Sequence, residues 1–104
     1  MEHLAFEFKA DDSKAAFKKT FSIVGVVTSS NLEVMMEVKE LAGRCLFSID
    51  TTAAGFGVSW KAVIADFMER HKPANVQVSI NDCAASPAVV SLRLDQAMEA
   101  LIGT

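Results

Sequence analysis

Two stretches of alternating polarity flank one stretch of helical period, and that succession constrains the fold more than any other feature of the chain. Cys45, Phe47 and Ile49 alternate with Leu46, Ser48 and Asp50, and Val76, Val78 and Ile80 alternate with Gln77, Ser79 and Asn81. A period of two is what a strand with one buried face requires. Between them, after Gly55-Phe56-Gly57, the residues Trp60, Val63, Ile64, Phe67 and Met68 recur at the spacing of one helical stripe. Ser59 is placed to cap the N-terminus, while Arg70, His71 and Lys72 crowd the last turn, where the helix dipole favours cations. Pro73 forbids continuation, so the spacing predicts a helix ending near His71 with Trp60 buried. A strand, a helix and a strand of these lengths predict a parallel, right-handed crossover.

The flanking sequence adds to this unit. Leu4, Phe6 and Phe8 alternate with Ala5 and Glu7, which predicts a first strand, and the polar Lys9 to Thr20 stretch reads as a loop in which Ala15, Ala16 and Phe17 could form a helical turn. Phe21 to Thr28 and Leu32 to Val38 read as two strands joined at Ser29-Ser30-Asn31, short polar residues suited to a tight turn. Ser86-Pro87 is a helix start and Gly103 a natural stop, with Val90, Leu94, Ala97, Met98 and Leu101 on one face. Val90, Leu92 and Leu94 also alternate with polar residues, so residues 88–94 admit either helix or strand, and the Ser-Pro start favours helix. The fold class is α+β: a two-layer sandwich with a mixed four- to five-stranded sheet and two helices on one face, forming a single domain over residues 1–104. Met35 and Leu46 fall on the other sheet face, where a partner is expected to cover them.

Composition narrows the function classes. The 104 residues are 51% apolar and 22% charged, which excludes intrinsic disorder. Ten basic against 13 acidic residues leave a net charge of −3, the wrong sign for neutralising nucleic-acid phosphates. Cys45 and Cys83 lack the spacings of zinc sites or redox dithiols and read as small core residues of a reducing compartment. The first residues carry acids where a signal peptide needs bases, and no apolar run reaches the ~18 residues of a membrane span. A cytoplasmic protein without membrane contact is expected.

Phosphate-loop glycines, dinucleotide fingerprints, metal-binding histidine pairs and nucleophile elbows are all absent from the sequence, so an independent enzyme, such as a small hydrolase, is disfavoured. His3 and His71 read as surface or capping residues. Asp82, between a strand and a helix start, reads as an acceptor of turn hydrogen bonds, and Glu33 and Glu37 as a solvated strand face.

The serine turn gains meaning in its full setting, Val24-Gly25-Val26-Val27-Thr28-Ser29-Ser30-Asn31-Leu32-Glu33-Val34. Together with Leu4-Ala5-Phe6-Glu7-Phe8, Trp60, and Asp82-Cys83-Ala84-Ala85-Ser86-Pro87 continuing through Gln96, this resembles, in the same order along most of the chain, the acyl-carrier (delta) subunit family of malonate decarboxylase. That family is related to the citrate lyase acyl-carrier (gamma) subunit. Ser30 and Asn31 stand where the family usually has glycine and aspartate, Ala84 stands where glycine is common, and the Lys9 to Thr20 loop is longer than usual. Two adjacent hydroxyls result, so Ser30 replaces Ser29 if the register is off by one.

The resemblance implies that Ser29 is joined through a phosphodiester to 2'-(5''-phosphoribosyl)-3'-dephospho-CoA, covalently attached, whose thiol carries acetyl and malonyl as thioesters. It implies a prosthetic-group transferase and the malonate decarboxylase transferase and decarboxylase subunits as partners, with no bond chemistry on this chain. The pantetheine-bearing carriers are a poor match, being acidic helical bundles with an Asp-Ser-Leu attachment site. The alternatives are the citrate lyase carrier, whose serine usually lies nearer the N-terminus, and an unmodified protein-interaction subunit.

Overall fold

The computed structural model describes residues 2–9, 17–25, 32–52, 54–83 and 85–103. Their order is β1 (Glu2–Lys9), β2 (Phe21–Val24), β3 (Leu32–Val38), β4 (Arg44–Thr51), α1 (Gly57–His71), β5 (Val76–Asp82) and α2 (Pro87–Ile102). Among these residues the strands form one sheet in the order β1-β4-β5-β3-β2. Only β4 and β5 run parallel, as the α1 crossover demands, and every other pairing is antiparallel. The expected mixed sheet therefore has five strands, and residues 88–94 are helical.

Alternation decides which face is dry. Leu32, Val34 and Met36 from β3, Cys45, Phe47 and Ile49 from β4, and Val76, Val78 and Ile80 from β5 are all buried beneath the helices. Trp60, Ile64, Phe67 and Met68 of α1 and Val90, Leu94, Ala97, Met98 and Leu101 of α2 complete the core. Phe47 lies edge-on to Phe8 and Phe67, with ring centroids 5.8 and 6.2 Å away, so one aromatic chain joins β1, β4 and α1.

Several expectations need correction. The helix α1 begins at Gly57 with Phe56 at its N-cap and no side-chain cap bond, so Ser59 lies inside the first turn. Trp60 N–H already donates to Phe56 O at 2.9 Å, and burial of the indole fixes the start. Cys45 is buried, and burial pushes its thiol up to about 12, but Cys83 is exposed because it follows the last inward residue of β5. The strand β2 ends at Val24, short of the expected Thr28, and residues 26–28 lie outside the described residues. Its faces are also unusual for an edge strand: Phe21 and Ile23 are exposed, while Ser22 points inward and donates from Oγ to Ala97 O at 3.0 Å. Ile23 pairs with Met35, so the outer sheet face carries an apolar strip at this edge, next to the half-buried Met35. Lys9 belongs to β1, residues 10–16 lie outside the described residues, and Lys18 and Lys19 N–H both donate to Leu101 O.

The other termini follow their local chemistry. Lys72 takes a left-handed conformation with its N–H on Met68 O, which closes α1 just before Pro73. Ser86 caps α2 by accepting from Val89 N–H, and Gly103 closes it. A charged clasp ties the two helices. Arg70 donates to Asp66 at 3.0 Å and to Asp95 at 2.6 Å, and His71 Nε2 lies 2.9 Å from the same Asp95 oxygen. Burial pushes the Asp95 carboxyl up, yet the hydrogen bonds from Arg70 and His71 outweigh it and hold it below the usual carboxylate range. A depressed folded value means this contribution is present above the unfolded pKa and is lost as pH falls through the folded one. Asp95→Asn is therefore expected to lower the melting temperature modestly at pH 7, with the gap from the parent narrowing in melts taken below about pH 4.

Candidate functional site

One end of the sheet gathers every segment that the sequence marks as functional. At that end Leu32 opens β3 directly opposite Asp82, which closes β5, and Asp82 is in turn in register with Thr51, which closes β4. Three connections leave from this row: residues 26–31 between β2 and β3, residues 52–56 into α1, and residues 83–86 into α2. Ser29 and Ser30 are in the first, and both lie outside the described residues, as does Asn31.

The bases of that segment are described. Gly25 takes φ +96°, and a Cβ there would collide with the carbonyl oxygen of Leu32. Only glycine lets the two strands approach this closely here. Gly55, at φ +87°, has no atom within 4 Å of such a Cβ, so its requirement is conformational alone. Gly25→Ala is expected to cost about 1–3 kcal/mol in urea unfolding through backbone strain, and more than Gly55→Ala because the neighbouring backbone must also shift.

Asp82 organises the row. It is 6% exposed, accepts the Thr51 hydroxyl on Oδ2 at 2.7 Å and Ala85 N–H on Oδ1 at 2.9 Å, and its backbone carbonyl accepts Thr52 N–H at 3.1 Å. A buried carboxylate with both oxygens bonded is a structural brace. This is the turn acceptor expected from the sequence. The Thr51 contact was not legible, although both residues fall on inward positions at strand ends. Beside this brace α1 and α2 part to leave a cleft of about 180 Å³, lined mainly by Trp60, Val63, Ala85, Pro87 and Val90.

The remaining candidates have structural roles. His3 Nδ1 lies 2.7 Å from Asp50 Oδ1 on the exposed face, and His71 belongs to the α1–α2 clasp. Glu33 and Glu37 sit half-buried on the outer sheet face, Glu33 accepting from Asn81 Nδ2 at 3.3 Å and Glu37 lying 3.9 Å from Lys39. Among the described residues no group of three or more His, Cys, Asp or Glu could hold a metal ion, and no helix is long and apolar enough to cross a membrane.

Residues 19–101 match the family model of the malonate decarboxylase delta subunit (MdcD), an acyl carrier protein model. The chain is 48% identical over 103 residues to the malonate decarboxylase acyl carrier protein of Stenotrophomonas maltophilia, covering 99% of this chain and 96% of that protein. It is 50% identical over 97 residues to the corresponding protein of Burkholderia cepacia, covering 93% and 87%. Its fold matches one chain of a Pseudomonas malonate decarboxylase hetero-tetramer solved in complex with malonate, with a TM-score of 0.82, 32% identity, and coverage of 99% of this chain and all of that one. These matches place the sandwich among small acyl carrier subunits. The chain belongs to the malonate decarboxylase delta-subunit family.

Proposed function

We propose that this chain is the non-catalytic acyl carrier subunit of a cytoplasmic malonate decarboxylase, loaded at Ser29 with 2'-(5''-phosphoribosyl)-3'-dephospho-CoA. When attached, the group supplies a terminal thiol able to hold acetyl and malonyl as thioesters. The observation that carries the reading is the near full-length identity to malonate decarboxylase acyl carrier proteins, joined to a hairpin whose linking segment bears the serine pair.

The residues present fit such a group. A hydroxyl at position 29 offers the oxygen that a phosphodiester requires. The tight closure at Gly25 and Leu32 keeps that serine within a few residues of rigid backbone, so a transferase meets it on a defined scaffold. A tethered arm raises the local concentration of its cargo at each active site it reaches, which is what a carrier contributes. The exposed Phe21 and Ile23 beside Met35 form an apolar strip suited to the transferase and decarboxylase subunits as partners.

Co-expression with a prosthetic-group transferase and its precursor is the test. Intact mass is expected to rise by one group per chain, and the loaded chain is expected to decarboxylate malonate only when the other subunits are added. Turnover of malonate by the loaded chain alone would remove the carrier reading, and activity with citrate lyase partners in place of malonate decarboxylase ones would move it to the sister family.

A further inference from the structure

The cleft between α1 and α2 opens at the same end of the sheet as the segment bearing Ser29. Asp82, one of its lining residues, is the direct sheet partner of Leu32, from which Ser29 is 32 − 29 = 3 residues away. Covalent geometry limits that span to roughly 10 Å between α-carbons, whatever path the segment takes. Any arm anchored there starts within a short distance of the cleft mouth.

The cleft's chemistry is selective. Trp60 and Val63 form one wall, Ala85, Pro87 and Val90 the other, and among its described lining residues Asp82 is the only ionisable one. Among the described lining residues no lysine or arginine faces in to neutralise an anion. Both Asp82 oxygens already accept hydrogen bonds, from Thr51 and Ala85. An apolar cavity of about 180 Å³ gains from burying a methyl group and a thioester but disfavours a carboxylate, which would lose its hydration without a cation in return.

We infer that this cleft is a resting site for the arm's acetyl thioester and rejects its malonyl thioester. This rests on the carrier reading above and extends it. The neutral acetyl form is sheltered from water, whose attack on the carbonyl would break the C–S bond and release acetate and the free thiol. The anionic malonyl form stays out of the cleft and available to a decarboxylating partner.

The test uses the full chain, loaded and confirmed by mass in its thiol, acetyl and malonyl forms. In NMR spectra the Trp60 indole and the Val63 and Val90 methyls are expected to shift on acetylation and to return to their thiol-form positions on malonylation. Ala85→Phe, which fills the cleft, is expected to speed hydrolysis of the acetyl thioester at least threefold while leaving hydrolysis of the malonyl thioester unchanged. Identical spectra for the acetyl and malonyl forms, or equal acetyl hydrolysis in the parent and Ala85→Phe, would overturn the resting site alone. Failure of any group to attach would overturn the carrier reading and the resting site with it.

Discussion

Ser29→Ala is expected to leave a folded chain that gains no mass on co-expression with the prosthetic-group transferase, and malonate decarboxylation in a reconstituted assembly is expected to fall to background. On the proposed loading the effect is all-or-none, because Ser29 would supply the oxygen of the attaching bond. The paired residues of β2 and β3 lie outside the segment that carries Ser29, so removing one hydroxyl leaves the sheet register and core intact. The melting temperature should therefore stay within the small range of surface substitutions. Ser30→Ala provides the internal control, since it retains loading if Ser29 is the attachment point. Loss of loading in Ser30→Ala with retention in Ser29→Ala would move the site by one residue. Retained loading in both would exclude this turn altogether.

The parts of this protein that were legible in its sequence are those encoded over one or two turns of chain. The stripe from Trp60 to Met68, closed by Lys72 and Pro73, announces α1 because helix geometry and proline stereochemistry act locally. The alternation on either side of it then forces the parallel β4–β5 pair. Ser86-Pro87 resolved the ambiguity at residues 88–94 for the same reason, since a serine cap and a proline at the first helical position favour helix whatever alternation follows.

What was not legible depends on contacts between distant segments. Nothing local says that Ser22 turns inward while Phe21 and Ile23 turn out, because that choice is made by the Ala97 carbonyl 75 residues away. The cleft is similarly hidden: Trp60 and Val63 read as core stripe, and Ala85 and Pro87 as a turn, until α1 and α2 bring them together. Ser59 misled because a capping residue type was present, whereas burial of Trp60 and packing near Gly57 set the helix start three residues earlier. At the site itself, a serine-rich turn says little beyond its turn chemistry. Its meaning came from resemblance along most of the chain, and the glycine that shapes its base, Gly25, was visible only as a break in a β-branched run.

Phe67→Ala is the second large effect, and its size follows from where the ring lies. Phe67 is fully buried on α1, stands edge-on to Phe47 at 6.2 Å, and packs against His71 at 4.9 Å, so its removal opens a cavity between sheet and helix. Deleting a large core aromatic costs about 3–5 kcal/mol, of which the lost edge-to-face contact accounts for about 1. Against a domain stability of about 5–15 kcal/mol this is a large fraction, and for a chain of this size it corresponds to a fall in melting temperature on the order of 15–30 °C. Trp60→Ala should cost less than its ring area suggests, because one side of the indole already faces the cleft and lacks packed neighbours to lose. Leu92→Ala, on the exposed face of α2, should change stability by less than about 0.5 kcal/mol. Calorimetry on the three variants checks the order directly. A Phe67→Ala melt within a few degrees of the parent would mean that α1 is not held to the sheet through Phe47, and the crossover packing that sets the cleft beside Asp82 would have to be abandoned with it.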